Sequence, residues 1–326
     1  MKSRILALRK LDPFLLMLLA IVGFASIVPA RGEVAVVASR VSDVAIAVLF
    51  FLHGAKLSRQ AIVAGVRAWP VHILVILATF VMFPLLGIGA KALADLWLNP
   101  AIGAGILLLC LMPSTVQSSI ALTSQAGGNV PAAVCSASAS SILGVVVTPA
   151  LAAVLLSSSG NKLSLDVIQD IALQLLLPFS VGHAARPLFL GILDRYHSSL
   201  AKLDRGVILL IVYNAFSAAV VEGLWQRYSI MDLLWTLLFG VVLLAIALTT
   251  TTLGSRLAGF DTADEITVVF CGSKKSLASG VPIASAIFPP ALVGPMILPL
   301  MLFHQLQLLA CAVLAQRYAA RARVAQ

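Results

Sequence analysis

Apolar residues run along this chain in blocks of about twenty, divided by short polar or basic stretches. About 20 residues at 1.5 Å each cross the ~30 Å hydrocarbon core of a bilayer as a helix. A membrane β-barrel would instead show segments of about 10 residues with alternating polarity, and that pattern is not present. The blocks predict ten helices, near 13–30, 34–54, 70–91, 101–124, 130–157, 166–189, 205–223, 233–253, 263–287 and 291–315. The first block, between MKSRILALRK and 28-VPA-30, has the outline of a signal peptide. Its length and the spans that follow favour a retained first helix.

Basic residues orient these helices, because Lys and Arg gather on cytoplasmic loops. Lys2, Arg4, Arg9, Lys10, Lys56, Arg59, Arg67, Arg186, Arg195, Lys202, Arg205, Arg256, Arg317, Arg321 and Arg323 fall on one side of a ten-span layout. Only Arg31, Arg40, Lys91, Lys162 and Arg227 fall on the other. Both termini are therefore expected in the cytoplasm, with the chain in the bacterial inner membrane. Five spans precede 157-SSSGNKLSLD-166 and five follow it, so residues 1–160 and 161–326 are expected to be two five-helix repeats of opposite orientation. Many secondary transporters have this plan, with the site on interrupted helices at matching places in each half.

Composition agrees with a membrane protein. Of the 326 residues 60% are hydrophobic and 11% charged, with a mean hydropathy of +1.05; soluble domains carry about 45–50% and about 25%. The formal charge of +9 is explained by the basic loops and gives no ground for a nucleic-acid partner. Cys110, Cys135, Cys271 and Cys311 all lie in apolar stretches, with neither a disulfide framework nor a CxxC pair. There is no GxxxxGK[ST] loop to support direct ATP drive.

The most polar intramembrane stretches are the fourth span of each half, 109-LCLMPSTVQSSIALTSQAGGN-129 and 270-FCGSKKSLASGVP-282. Broken helices free backbone carbonyls, which attract cations, and half-helix N-termini, which attract anions. The candidate substrate- or ion-binding set is Pro113, Ser114, Thr115, Gln117, Ser118, Ser119, Thr123 and Asn129 in the first stretch. In the second half it is Gly272, Ser273, Lys274, Lys275, Ser276, His304 and Gln305. Hydroxyl residues also serve close helix packing, so the cluster beside Pro113 counts for more than any one serine. Lys274 and Lys275 lie about 13 Å deep, where lysines are rare and usually functional. Adjacent residues on an intact helix point about 100° apart; either the backbone is distorted there, or one lysine snorkels or is uncharged. His304 suits proton uptake or a helix–helix contact. Asp43 is expected to pair with Arg40 or to serve a lysine, and Asn214 to bond between helices.

The segments 112-MPSTVQSSIALTSQAGGN-129, 148-TP-149, 212-VYNAFS-217, 270-FCGSKKSLASGVPIA-284 and 304-HQLQL-308 resemble the SBF-like branch of the bile acid:sodium symporter superfamily over essentially the whole chain. The resemblance implies an all-α polytopic membrane protein with ten transmembrane helices in two inverted five-helix repeats. A panel domain holds spans 1, 2, 6 and 7, and a core domain holds spans 3, 4, 5, 8, 9 and 10, with spans four and nine broken and crossing. It implies sodium-coupled uptake of organic anions, with sodium ligands on both broken helices and the fifth, and a ninth-helix glutamate joining the sites. Ser118 and Ser119 match the fourth-helix ligands. The glutamate position falls on Phe270, a glutamine–asparagine pair on Lys274 and Lys275, and fifth-helix hydroxyls on Ala133 and Ala137, with Ser136, Ser138 and Ser140 close by. An ammonium in place of the ion supplies the same single charge, so a proton-linked or uncoupled carrier is expected over a two-sodium symporter. No cofactor beyond Na+ or H+ is expected; the partners are the bilayer and a small organic solute. A membrane regulator of calcium is the alternative, since eukaryotic relatives of this branch are associated with calcium control. An intramembrane hydrolase using Ser273 or Ser276 with a lysine lacks a clear oxyanion hole.

Overall fold

A computed structural model describes residues 13–56, 68–156 and 165–324, and every regular element among them is helical. In chain order these are α1 Pro13–Ile27, α2 Glu33–Lys56, α3 Trp69–Ala94, α4 Pro100–Leu111, α5 Gln117–Ala126 and α6 Val130–Leu156. They continue as α7 Leu165–Arg195, α8 His197–Val221, α9 Ile230–Leu257, α10 Thr262–Gly272, α11 Leu277–Ile287 and α12 Pro290–Val324, with a single turn at Leu224–Arg227. Six helices among the described residues are long and apolar enough to cross a bilayer: α2, α3, α6, α9 and most of α8 and α12.

Helix ends follow local chemistry. Asn99 Oδ1 accepts from Ala101 N at 3.0 Å ahead of Pro100 at the first position of α4, where a missing N–H costs nothing. Ser229 and Asp232 form a reciprocal capping box on α9. Val34, Val37, Val41 and Val44 of α2 are 63%, 59%, 48% and 65% exposed on the protein surface, a face that fits lipid rather than water.

The helices pack in two groups. α2 lies along α7, and α8 packs on α1 and α2; α8 also meets α11 and α12 of the second group, which includes α3–α6 and α9–α12. The α2–α7 crossing is set by two glycines. A Cβ on Gly54 would run into the Phe179 carbonyl, and one on Gly182 into the Phe51 carbonyl.

The predicted fourth and ninth spans are each broken, into α4 with α5 and α10 with α11. α3 is continuous but contains a π-helical turn at Ala78–Met82. There Phe83 N bonds to Ala78 O rather than Thr79 O, and Pro84, next in the shifted register, has no N–H to give. The Thr79 carbonyl is thereby freed. Two local expectations fail: Asp43 and Arg40 are both exposed, with no ion pair between them among the described residues. Asp43 thus serves neither Arg40 nor any lysine among the described residues. Asn214 is half-buried and makes no side-chain hydrogen bond among the described residues. The four cysteines are buried free thiols. Arg59, Arg67, Ser158 and Lys162 lie outside the described residues.

Candidate functional site

The two breaks satisfy each other's backbone. Pro113 has no N–H and ends the α4 ladder, and Met112 takes an extended conformation (ψ 150°). The Ser114 N–H, which an unbroken helix would give to Cys110 O, donates instead to Ser140 Oγ at 3.0 Å. Ser276 N donates to Pro113 O at 2.8 Å, tying the breaks together. Ser114 Oγ donates to Cys271 O, and Ser119 Oγ to Phe270 O at 2.9 Å, so hydroxyls of the first break serve the carbonyls ending α10. Thr148 Oγ1 of α6 donates to Leu111 O at 2.8 Å. Non-helical backbone at membrane depth requires such partners.

Lys274 and Lys275 are both 0% exposed within the protein, so neither snorkels. The backbone distortion at 273–276 lets them diverge. Lys275 Nζ donates to Met112 O at 2.8 Å, Cys110 O at 2.9 Å and Thr79 O at 3.0 Å. The Phe83 ring centroid lies 4.1 Å from the same nitrogen, within the range for cation–π attraction. An ammonium has three hydrogens, and all three are used. Its carbonyl partners are those freed by the break after α4 and by the π-turn of α3. Lys274 turns the other way, with one hydrogen bond to Ser118 Oγ at 3.3 Å and the Phe270 ring centroid at 5.8 Å.

Gln307 of α12 holds the second break. Its Oε1 accepts from Lys275 N at 2.7 Å, and its Nε2 donates to Lys275 O at 2.8 Å. The amide thus replaces a peptide unit of the missing helical turn. Its second N–H donates to His304 Nδ1 at 2.8 Å, which makes Nδ1 an acceptor and leaves the ring hydrogen on Nε2.

A cavity of about 430 Å³ adjoins the crossing. Thr115, Gln117 and Ser118 at the start of α5, Ser276 and Ser279 at the start of α11, and His304 line one side. His53 and Lys56 of α2 and Asp204 and Arg205 of α8 line the other. Lys56 and Asp204 form an ion pair. Two half-helix N-termini meet here, and their partial positive charge favours an anion. Arg205 adds a full charge.

The predicted residues divide accordingly. Thr115, Gln117, Ser118, Ser276 and His304 line the cavity; Pro113, Ser114 and Ser119 join the breaks. Thr115 Oγ1 receives from Ser118 Oγ at 2.8 Å and lies 3.0 Å from Ser119 Oγ. Gly272 packs against Thr251 and Ala78, and Ser273 Oγ turns back to Val269 O. Thr123 is buried with Oγ1 unpartnered. Asn129 caps α6 through Ala132 N and bonds to Asp264 at 2.8 Å; it does not line the cavity, because capping uses its side chain. Gln305 makes no side-chain hydrogen bond among the described residues; Gln307, two positions on, faces the break instead. Gln307, Ser140 and Thr148 hold the breaks but stand outside the candidate binding set, although Ser140 was noted among the fifth-span hydroxyls and the other two lie in 304-HQLQL-308 and 148-TP-149. The signal for Gln307 was its place one turn after His304 in an otherwise apolar helix. Of the fifth-span positions, Ala133 and Ala137 are buried against α10, Ser136 meets His72 Nδ1 at 2.6 Å, and Ser138 and Ser141 line the cavity.

The model of the SBF-like CPA transporter family matches residues 12–320. An uncharacterized protein of Pseudomonas aeruginosa is 54% identical over 311 residues, 95% of this chain and 93% of that one. YfeH of Escherichia coli, whose name proposes a symporter, is 49% identical over 310 residues, 95% of this chain and 93% of its own. Sodium/bile acid cotransporter 7 of Danio rerio is 28% identical over 281 residues, 84% and 82% of the two chains.

Proposed function

Because the chain belongs to the SBF-like CPA transporter family, we propose that it is a secondary active carrier in which a lysine ammonium takes the place of a coupling sodium ion. It is an integral membrane transporter of the bile acid:sodium symporter type and not an enzyme. Its solute is a small organic anion, moved by alternating access in the bacterial inner membrane. Ten spans form two inverted repeats with both termini cytoplasmic; α1, α2, α7 and α8 are the panel and the remaining helices the core.

One observation carries the coupling claim. Lys274 Nζ bonds to Ser118 Oγ at 3.3 Å, and Ser118 is a residue that the resemblance assigns to sodium. Ser119 Oγ is committed to Phe270 O, and Ala133 and Ala137 offer no side-chain oxygen for an ion. The anion claim is supported by the paired N-termini of α5 and α11 and by Arg205 at a cavity of about 430 Å³. That volume lies in the ~300–1,000 Å³ range of small-molecule sites.

The test is uptake of a panel of carboxylate and sulfate anions into proteoliposomes, under an imposed sodium gradient or pH gradient. The expected result is accumulation that responds to pH and not to replacement of sodium by choline. Sodium-dependent accumulation would refute the ammonium reading, and failure to move any anion would refute the solute class.

A further inference from the structure

From the unequal surroundings of the two lysines, we infer that they divide the work: Lys275 is a permanent, tethered cation in a carbonyl cage, and Lys274 is the group that exchanges its proton, with Ser118 as its contact to the cavity. The Lys274 part rests on the carrier reading above; the cage part does not. Lys275 gives all three of its hydrogens to the carbonyls of Thr79, Cys110 and Met112. Losing one would leave a carbonyl facing a nitrogen lone pair in a site with no water contact. The cage is held together by the ammonium, and it is the right size for one.

Lys274 has a single hydrogen bond, and its partner Ser118 lines the cavity. Ser118 in turn donates to Thr115 Oγ1, a second lining residue. Proton release follows this contact. The Ser118 hydroxyl first rotates its hydrogen from Thr115 Oγ1 to a cavity water. Ser118 Oγ then takes a hydrogen from Nζ as it gives its own to that water, leaving a neutral amine, an unchanged hydroxyl and a hydronium ion.

Among the described residues no carboxylate pairs with either lysine. The titratable groups facing Lys274 are the thiols of Cys271 and of Cys311 on α12, while α5 presents the hydroxyls of Ser118 and Ser119. Lys275 faces the Cys110 thiol, and His304 approaches its carbonyl rather than its ammonium. Of the other groups packed on α10, Asp264 is held by Asn129, Glu265 by Arg256 of α9 and Tyr318 of α12, and His72 of α3 meets Ser136 of α6.

The experiment uses the full chain in nanodiscs and proteoliposomes. Lys275→Ala empties the cage, so Tm should fall by roughly 5–10 °C, as expected for an unpaired buried polar site. Ammonium or methylammonium chloride should restore at least half of that fall, and choline chloride none. Lys275→Met, which refills the space without charge, should not respond to ammonium. Lys274→Gln should flatten the pH profile of uptake across about pH 5–9, and should also alter the pH dependence of Tm, a readout that does not require transport. An ammonium-insensitive Lys275→Ala would overturn the cage. Wild-type pH profiles of both uptake and Tm in Lys274→Gln would overturn its role. Wild-type protein that moves no anion would count against the carrier reading, while both Tm arms would still decide the division of the lysines.

Discussion

Gln307→Leu is the sharpest perturbation of the crossing. The leucine has similar bulk but removes the acceptor for Lys275 N and the donor for Lys275 O, whose bonds are 2.7 and 2.8 Å long. Both backbone groups sit in a site where Lys275 and Gln307 are 0% exposed, so water does not replace the lost partner. A buried polar group left without its bond costs about 1–3 kcal/mol. Two such groups give roughly 2–6 kcal/mol, or a fall in Tm of about 4–24 °C at ~2–4 °C per kcal/mol. Gln305→Leu is the control, since the Gln305 side chain makes no hydrogen bond among the described residues; its effect should stay within about 0.5 kcal/mol. Thermal unfolding of the two variants in the same nanodiscs, with anion uptake alongside, makes the comparison. Equal Tm values for Gln307→Leu and wild type would refute the view that this amide replaces a peptide unit of the broken helix.

Gly54→Ala places a methyl group against the Phe179 carbonyl and should lower Tm by about 2–12 °C, since overpacking costs roughly 1–3 kcal/mol; an unchanged Tm would show that α2 and α7 can move apart freely. Joint replacement of Ser118 and Ser119 by alanine should impair uptake or anion binding more than expression, measured on the same preparation; normal affinity with lowered Tm would assign them to packing alone. For topology, a cysteine introduced beside Arg227 should react with an impermeant reagent from outside and one beside Arg195 from inside. Labelling of both from one face would refute the ten-span layout.

The breaks themselves were legible in the sequence. A proline followed by hydroxyl and amide groups, and a glycine–serine–lysine–lysine run, are sequences a spanning helix does not bury without a reason, and both sites are interrupted. That the lysines lie inside the protein was legible for the same reason. Their partners were not. Lys275 is held entirely by main-chain carbonyls, and carbonyl identity leaves no mark on side-chain composition. The Thr79 carbonyl is free only because α3 contains a π-turn and Pro84 follows it, a register shift that hydrophobic periodicity does not encode. Choosing Gln305 over Gln307 was an error of helical phase: two residues turn a helix by about 200°, which moves the amide from the break to the opposite face. Asn129 was polar for a capping reason, which looks the same in sequence as a binding reason.

The cost of burying two ammonium groups is met differently at the two positions, and this separates structure from coupling. At Lys275 three carbonyls from two helices compensate the charge, and removing it would leave them unpaired; the charge belongs to the folded core. A bound ion could fill the same cage, but its contribution would vary with its concentration as RT ln(1 + [L]/Kd). In the proposed division a tethered ammonium is always present, so α3, α4 and the second break would stay joined whatever the ionic composition on either side of the membrane. Such a pin is unsuited to coupling, because a group that must hold the core together cannot also come and go in each cycle. Lys274 has the opposite character. With one hydrogen bond to a cavity-lining hydroxyl and an aromatic ring nearby, it can change its charge without unpairing any backbone group. In the proposed division Lys274, whose charge no backbone group depends on, is the lysine that responds to pH.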